Sequence, residues 1–212
     1  MQSTPTNILL VRHGATEWTR DDRFCGVSDI DLIAEGEHQA ERLALRLAQT
    51  SITAVYCSPL RRTRQTAAIL AAPHALPPIV VPKLIEMNFG AWEGRLRDEI
   101  RANDQARYTA WRRDPVGIVP EDGESTYGVA ARALDALTQI VERHQGQTVL
   151  IVAHKTVNRI VLCHWLGLPL ALYRERIAQD PGALNWIVIG TQGTVQIKHL
   201  NDTAHSIATG AD

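Results

Sequence analysis

The chain has 212 residues, 45% of them hydrophobic and 21% charged, with a formal net charge of −1. That is the composition of an ordinary globular protein long enough to bury a full core without staples. The near-neutral balance excludes a broad nucleic-acid or anionic-membrane footprint, but not a local anion site.

The opening stretch, MQSTPTNILLV, has no basic start and no long apolar core, so it does not read as a signal peptide. No later run approaches the roughly 18 apolar residues of a membrane span. Residues 7–11 are solidly apolar, as expected of a strand covered on both faces. Residues 35–49 predict a helix with Ala40, Leu43, Ala44, Leu47 and Ala48 on one stripe. Residues 53–57 (TAVYC) predict a second strand, and 61–72 a helix stopped by Pro73. Residues 79–81 are a third strand candidate. Residues 95–113 are charged and read as helical, anchored by Ile100, Tyr108 and Trp111. With the Pro/Gly-rich stretch 114–123, this region is expected to form a helical lid or insertion at about 95–123. A long helix is expected over 125–144, with Ala130, Ala133, Leu134, Leu137, Ile140 and Val141 on one face, ended by Gly146. Residues 148–153 (TVLIVA) predict a fourth strand, followed by a helix through Trp165. Residues 184–189 and 194–200, joined by 190–193, predict a terminal hairpin.

Strands alternating with helices imply an α/β fold, its mostly parallel sheet covered by helices on both faces. Ligands of such sheets bind at the carboxyl ends of the strands. The first strand ends at Arg12-His13 and the fourth at His154, so parallel neighbours would bring both histidines to one edge. No linker-like segment divides the chain, which predicts a single domain over residues 1–212. Cys25, Cys57 and Cys163 are odd in number and lack zinc spacing, which fits reduced thiols and a cytoplasmic location.

Four motifs bear on chemistry: Arg12-His13-Gly14, SPLRRTRQTA at 58–67, EMNFGAWEG at 86–94 and VAHKTVNR at 152–159. In this order they resemble the histidine phosphatase superfamily, which includes the cofactor-dependent phosphoglycerate mutases. The resemblance spans roughly residues 8–165. It implies a three-layer α/β/α sandwich, phosphoglycerate mutase-like, with the catalytic pocket above the sheet. It makes His13 a transiently phosphorylated nucleophile, places Arg12, Arg62 and His154 around the phosphate, and makes Glu86 the proton donor. Arg62 matches the family arginine because it stands four residues before the Thr66-Ala67 pair. Glu93 is a rival carboxylate for the acid role.

These residue types suit a phosphomonoester dianion. Arginine forks match phosphate oxygens in pairs, and the helix N-termini after His13, at Arg61 and after His154 are expected to add backbone N–H groups. A histidine attacks phosphorus only through an unprotonated nitrogen, and neighbouring guanidiniums disfavour the imidazolium. Nδ1 of His13 is expected to donate to a backbone carbonyl, leaving Nε2 free. No metal or other cofactor is expected. Trp18 is expected to pack beneath the site, and Trp92, Trp111, Trp165 and Trp186 in the core.

The resemblance divides between hydrolysis and transfer. Thr19 stands where mutases carry asparagine, and Cys25-Gly26 where a Thr-Gly pair usually contacts substrate. Lys155 replaces the glycine that normally follows the second histidine. Arg112-Arg113 resembles the mutases' carboxylate-binding pair, and Arg97 lies where they usually carry lysine. Short length, GAWEG and DGES at 122–125 resemble the small phosphatases. The expected function is hydrolysis of a small anionic phosphometabolite, with phosphoglycerate mutase and a non-catalytic phospho-ligand binder as alternatives. Thr19, Cys25, Gly26, Lys155, Arg97, Arg112 and Arg113 are the expected substrate-binding residues. The basic residues among them, with Arg20 and Arg23, point to a second anionic group on the substrate. A homodimer is a possible assembly, through the edge of the terminal hairpin.

Overall fold

A computed structural model describes residues 4–206. Its six-stranded sheet has the order β3-β2-β4-β1-β5-β6: β1 (Thr6–Arg12), β2 (Ala54–Cys57), β3 (Ile79–Val80), β4 (Thr148–Ala153), β5 (Leu184–Ile189) and β6 (Val195–Asp202). The first four strands run parallel, and the β5–β6 hairpin adds two antiparallel strands beyond β1. Helices α1 (Glu17–Arg20), α2 (Ala34–Leu47), α3 (Arg61–Ala71), α4 (Arg97–Asn103), α5 (Gln105–Arg113), α6 (Thr126–Arg143), α7 (Lys155–Trp165) and α8 (Tyr173–Arg176) complete it.

The period of two along each strand sorts the core into halves. Leu9, Val11, Val55, Leu150 and Val152 face one way and pack with Leu43 and Leu47 of α2 and Ala67 and Leu70 of α3. Ile8, Leu10, Tyr56, Val149 and Ile151 face the other way, against Val129, Ala133, Leu137 and Ile140 of α6 and Val157, Ile160 and Val161 of α7. Each fully buried aliphatic side chain contributes about 1.5–3 kcal/mol. The central strands therefore lack polar alternation because both faces are dry.

Three departures from the sequence reading have physical causes. The helix expected over 95–113 is broken at Asp104, whose backbone leaves the helical region (φ −137°, ψ 46°) and whose carboxylate accepts from Trp92 Nε1 at 3.3 Å. A short helix, α1, follows the first strand, closed by reciprocal capping between Thr16 and Thr19. The edge strand β3 has only two paired residues, both exposed. The anchors of 95–113 lie as expected, with Ile100 and Trp111 buried. Trp111 joins Phe24 and Trp92 in an aromatic cluster, Trp92 and Trp111 meeting edge-to-face at 5.2 Å between centroids. Among the described residues, no helix is long and apolar enough to cross a membrane.

Candidate active site

Pairing of β1 with β4 places Arg12 opposite Ala153, and the His13 amide donates to the Ala153 carbonyl at 3.1 Å. The next residue of each strand is a histidine, so the His13 and His154 ring centroids lie 5.2 Å apart. The turn after His13 runs against the first turn of α2. A Cβ on Gly14 would sit 2.3 Å from the Gly36 carbonyl oxygen, so both glycines serve close backbone approach.

His13 Nδ1 donates to the Gly14 carbonyl at 2.8 Å, which leaves the lone pair of the neutral ring on Nε2. The His13 pKa is held well below the usual histidine range, first by burial, then by Arg62 and Arg12. Burial thus outweighs the guanidiniums named by the sequence. Arg12 Nη1 donates to the Gln179 carbonyl at 2.6 Å, and burial pulls the Arg12 pKa down to about 10. Arg62, wholly buried on α3, donates to the carbonyls of Ser28 (2.7 Å) and Gly26 (2.6 Å). The Nε atoms of both arginines are buried without a partner. His154 Nε2 lies 2.7 Å from Ser58 Oγ, while its Nδ1 is buried and unpartnered. Its pKa too is lowered, by burial and then Arg62.

The two candidate carboxylates separate by environment. Glu86 is buried, and burial raises its pKa although it accepts from the amides of Met87 (2.8 Å) and Thr156 (2.9 Å). Arg132 on α6 braces the segment: it donates to the Lys83, Ile85 and Glu86 carbonyls and forks onto Glu124 at 2.7 and 2.8 Å. Glu93 instead accepts from the amides of Gly26, Val27 and Phe89 and from Ser28 Oγ. It staples the loop whose carbonyls hold Arg62.

A pocket of about 290 Å³ opens here, lined by Arg12, His13 and Glu86 within and by residues of α4, α5, α7 and α8 above, while Arg62 and His154 are not among its lining residues.

The family model described as "Histidine phosphatase superfamily (branch 1)" matches residues 8–203. The chain belongs to that superfamily. Over 198 residues it is 33% identical to "Phosphoserine phosphatase 1" of Hydrogenobacter thermophilus, covering 93% of each chain. It is 37% identical over 174 residues to "Probable phosphoglycerate mutase GpmB" of Serratia proteamaculans, covering 80% of this chain and 78% of that one. Among solved structures, "Bacillus stearothermophilus YhfR" superposes with a TM-score of 0.89 at 32% identity, covering 95% of this chain and 99% of that one.

In this histidine phosphatase several of the amides at these turns and helix starts already have partners within the protein. The Gly14 amide donates to Thr66 Oγ1, Ala15 to Gln39, Arg61 to Asp29 and Thr156 to Glu86. These four amides hold side chains of the protein itself. Of the expected substrate-binding residues, Thr19, Cys25, Arg97, Arg112 and Lys155 line the pocket, while Gly26 and Arg113 are not among its lining residues. Thr19 Oγ1 is engaged in capping, donating to the Thr16 carbonyl at 2.9 Å. Burial pushes the Cys25 thiol up to about 11. Trp18 packs on Gly94 and is not among the lining residues. Arg159 and Arg174 also line the pocket, and neither was expected. Arg159 was within reach of the sequence, since it stands one helical turn beyond Lys155. Arg174 carried no such signal.

Proposed function

We propose that this histidine phosphatase hydrolyses small phosphomonoesters through a phosphohistidine on His13, without a metal ion. The observation that carries this reading is the state of His13: Nδ1 tied to the Gly14 carbonyl, and the imidazolium disfavoured by burial, Arg62 and Arg12.

The Nε2 lone pair forms a bond to phosphorus as the P–O bond to the organic group breaks. Arg12 and Arg62 meet the equatorial oxygens as charge moves through the transition state. His154, through its unpartnered Nδ1, donates to the same group. Glu86, whose carboxylate form burial disfavours, carries the proton and gives it to the leaving alkoxide. The resulting carboxylate then takes a proton from water as the water oxygen bonds to phosphorus. The N–P bond breaks, inorganic phosphate leaves, and neutral His13 and protonated Glu86 are restored.

The mutase alternative shares the phosphohistidine and differs only in the acceptor, a second hydroxyl in place of water. Turnover of p-nitrophenyl phosphate that survives EDTA, with acid-labile phosphate trapped on wild type but not on His13→Ala, is the expected result. Interconversion of 3- and 2-phosphoglycerate that needs a bisphosphate primer, with no net phosphate release, would favour the mutase. Phosphate binding without turnover of any ester would leave a binding module.

A further inference from the structure

We infer that the outer half of the pocket is a second anion site, where Lys155, Arg159 and Arg174 hold a carboxylate or phosphate group carried by the organic part of the substrate. This rests on the phosphatase reading of the inner half and narrows its substrate class to phosphomonoesters with a second anionic group.

The argument is one of charge balance. The pocket is lined by seven basic residues, Arg12, Arg23, Arg97, Arg112, Lys155, Arg159 and Arg174, against two acids, Asp22 and Glu86. Three of the seven have protein partners. Arg12 is braced by the Gln179 carbonyl and belongs with Arg62 to the inner site. Arg97 pairs with Asp22 at 2.7 Å, and Arg23 donates to the Gly94 carbonyl at 2.9 Å and lies 3.7 Å from Asp21. A phosphomonoester dianion balances Arg12 and Arg62. Four cations then remain: Lys155, Arg159, Arg174 and Arg112. Among the described residues, none of the four forms an ion pair or donates a side-chain hydrogen bond to another protein group.

Three of these four are not flexible surface charges free to turn into water. Lys155 and Arg159 stand one helical turn apart on α7 and share a face. The Arg174 guanidinium lies over the Trp111 ring at 3.5 Å from its centroid, which fixes its plane. Arg159 Nε and Arg174 Nη1 are buried without partners. Arg97 lies near enough to act electrostatically on all three. Burial, deepened by neighbouring cations, pulls Lys155 down to about 7 and Arg174 to about 10. A folded chain holding like charges this way is under electrostatic strain that a bound anion relieves without loss of a proton from Lys155. A neutral sugar or base would leave the strain in place, and would bury donors without matching acceptors.

The test compares substrates matched except for the second anion: 3-phosphoglycerate with glycerol 3-phosphate, and fructose 1,6-bisphosphate with fructose 6-phosphate. Wild type should prefer the more charged member of at least one pair by about 10- to 100-fold in kcat/KM, mostly through KM. Arg159→Gln and Arg174→Gln should each drive that ratio towards one, and Arg159→Lys should restore part of it. Because the ratio is internal, loss of folded protein cancels, and Lys155→Met supplies a third variant at a half-buried position. Calorimetric binding of 3-phosphoglycerate and glycerol 3-phosphate reads the same preference without turnover. Hydrolysis of p-nitrophenyl phosphate by wild type with ratios near one in both pairs, or variants that keep the wild-type ratio, would overturn the second site alone. No ester hydrolysed, yet 3-phosphoglycerate bound at least tenfold tighter than glycerol 3-phosphate, would keep the site and overturn the phosphatase reading.

Discussion

The two halves of the pocket treat positive charge in opposite ways. In the inner half, each guanidinium is pinned by carbonyl oxygens before any ligand arrives: Arg62 by Gly26 and Ser28, Arg12 by Gln179. In the outer half, Lys155, Arg159 and Arg174 line the cavity, and among the described residues none of them donates to a protein acceptor. A pinned cation is preorganised, which favours stabilising charge that develops in a transition state. An unpinned cation gains its partner on binding, which favours affinity and selection among substrates. The inner half is therefore suited to rate and the outer half to choice, and variants in the two should separate along kcat and KM.

The largest expected effect is at the nucleophile. His13→Ala removes the covalent route, and kcat should fall on the order of 10⁴- to 10⁶-fold for every ester, charged or not. Near-normal turnover by that variant would abolish the division into halves. Glu86→Gln comes next, with a loss of about 10²- to 10⁴-fold in kcat. That loss should be smaller for p-nitrophenyl phosphate, whose leaving group needs little protonation, than for alkyl esters. Equal losses on both would remove Glu86 from the acid role. The sign of the pH profile follows from the same two groups. The active form has neutral His13 and protonated Glu86. Lowering the first pKa carries the acid limb below the ordinary histidine range, and raising the second carries the basic limb above the ordinary carboxylate range.

Glu93 probes how the pinning is achieved. It holds the 26–28 loop through Gly26 N, Val27 N and Ser28 Oγ, and that loop's carbonyls hold Arg62. Glu93→Gln weakens charge-assisted bonds worth about 1.5–3 kcal/mol each in net terms, and kcat/KM should fall roughly tenfold as Arg62 loosens. If the mechanism is release of Arg62 from beside His13, the His13 pKa rises and the acid limb moves to higher pH. Simple loss of folded protein would lower the amplitude and leave the limb where it was.

The inner half was legible in the sequence because its residues sit at the ends of strands that any α/β reading would find. Arg12-His13 closes one apolar run, His154 follows another, and parallel pairing makes them neighbours. Arg62 and Glu86 were legible through their motifs. The outer half was less so, for a physical reason. Arg174 reaches the pocket only because α8, a helix of four residues, packs its guanidinium over Trp111 from another segment. No local period marks that contact. The break at Asp104 was hidden in the same way: 95–113 has helical composition throughout, and the interruption depends on a bond to Trp92. The partners of the Arg61, Ala15 and Thr156 amides, Asp29, Gln39 and Glu86, were not legible because they lie far off in the chain.

The smallest effect is also the one most specific to the outer half. The Lys155 pKa of about 7 is set by burial and by Arg12, Arg159 and Arg97, and is opposed by Asp22. At pH 8 the empty pocket therefore holds Lys155 largely as the neutral amine. An anion beside it raises that pKa, so binding must draw in a proton, and affinity must weaken as pH climbs past 7. Sulfate suits the measurement because it does not itself titrate in this range. Binding heats taken in two buffers of different ionisation enthalpy should show uptake of a fraction of a proton at pH 8 and less at pH 6. Lys155→Met should remove the uptake. If uptake persists in that variant, the titrating group lies elsewhere in the pocket. If wild type shows none, the bound sulfate does not sit beside Lys155.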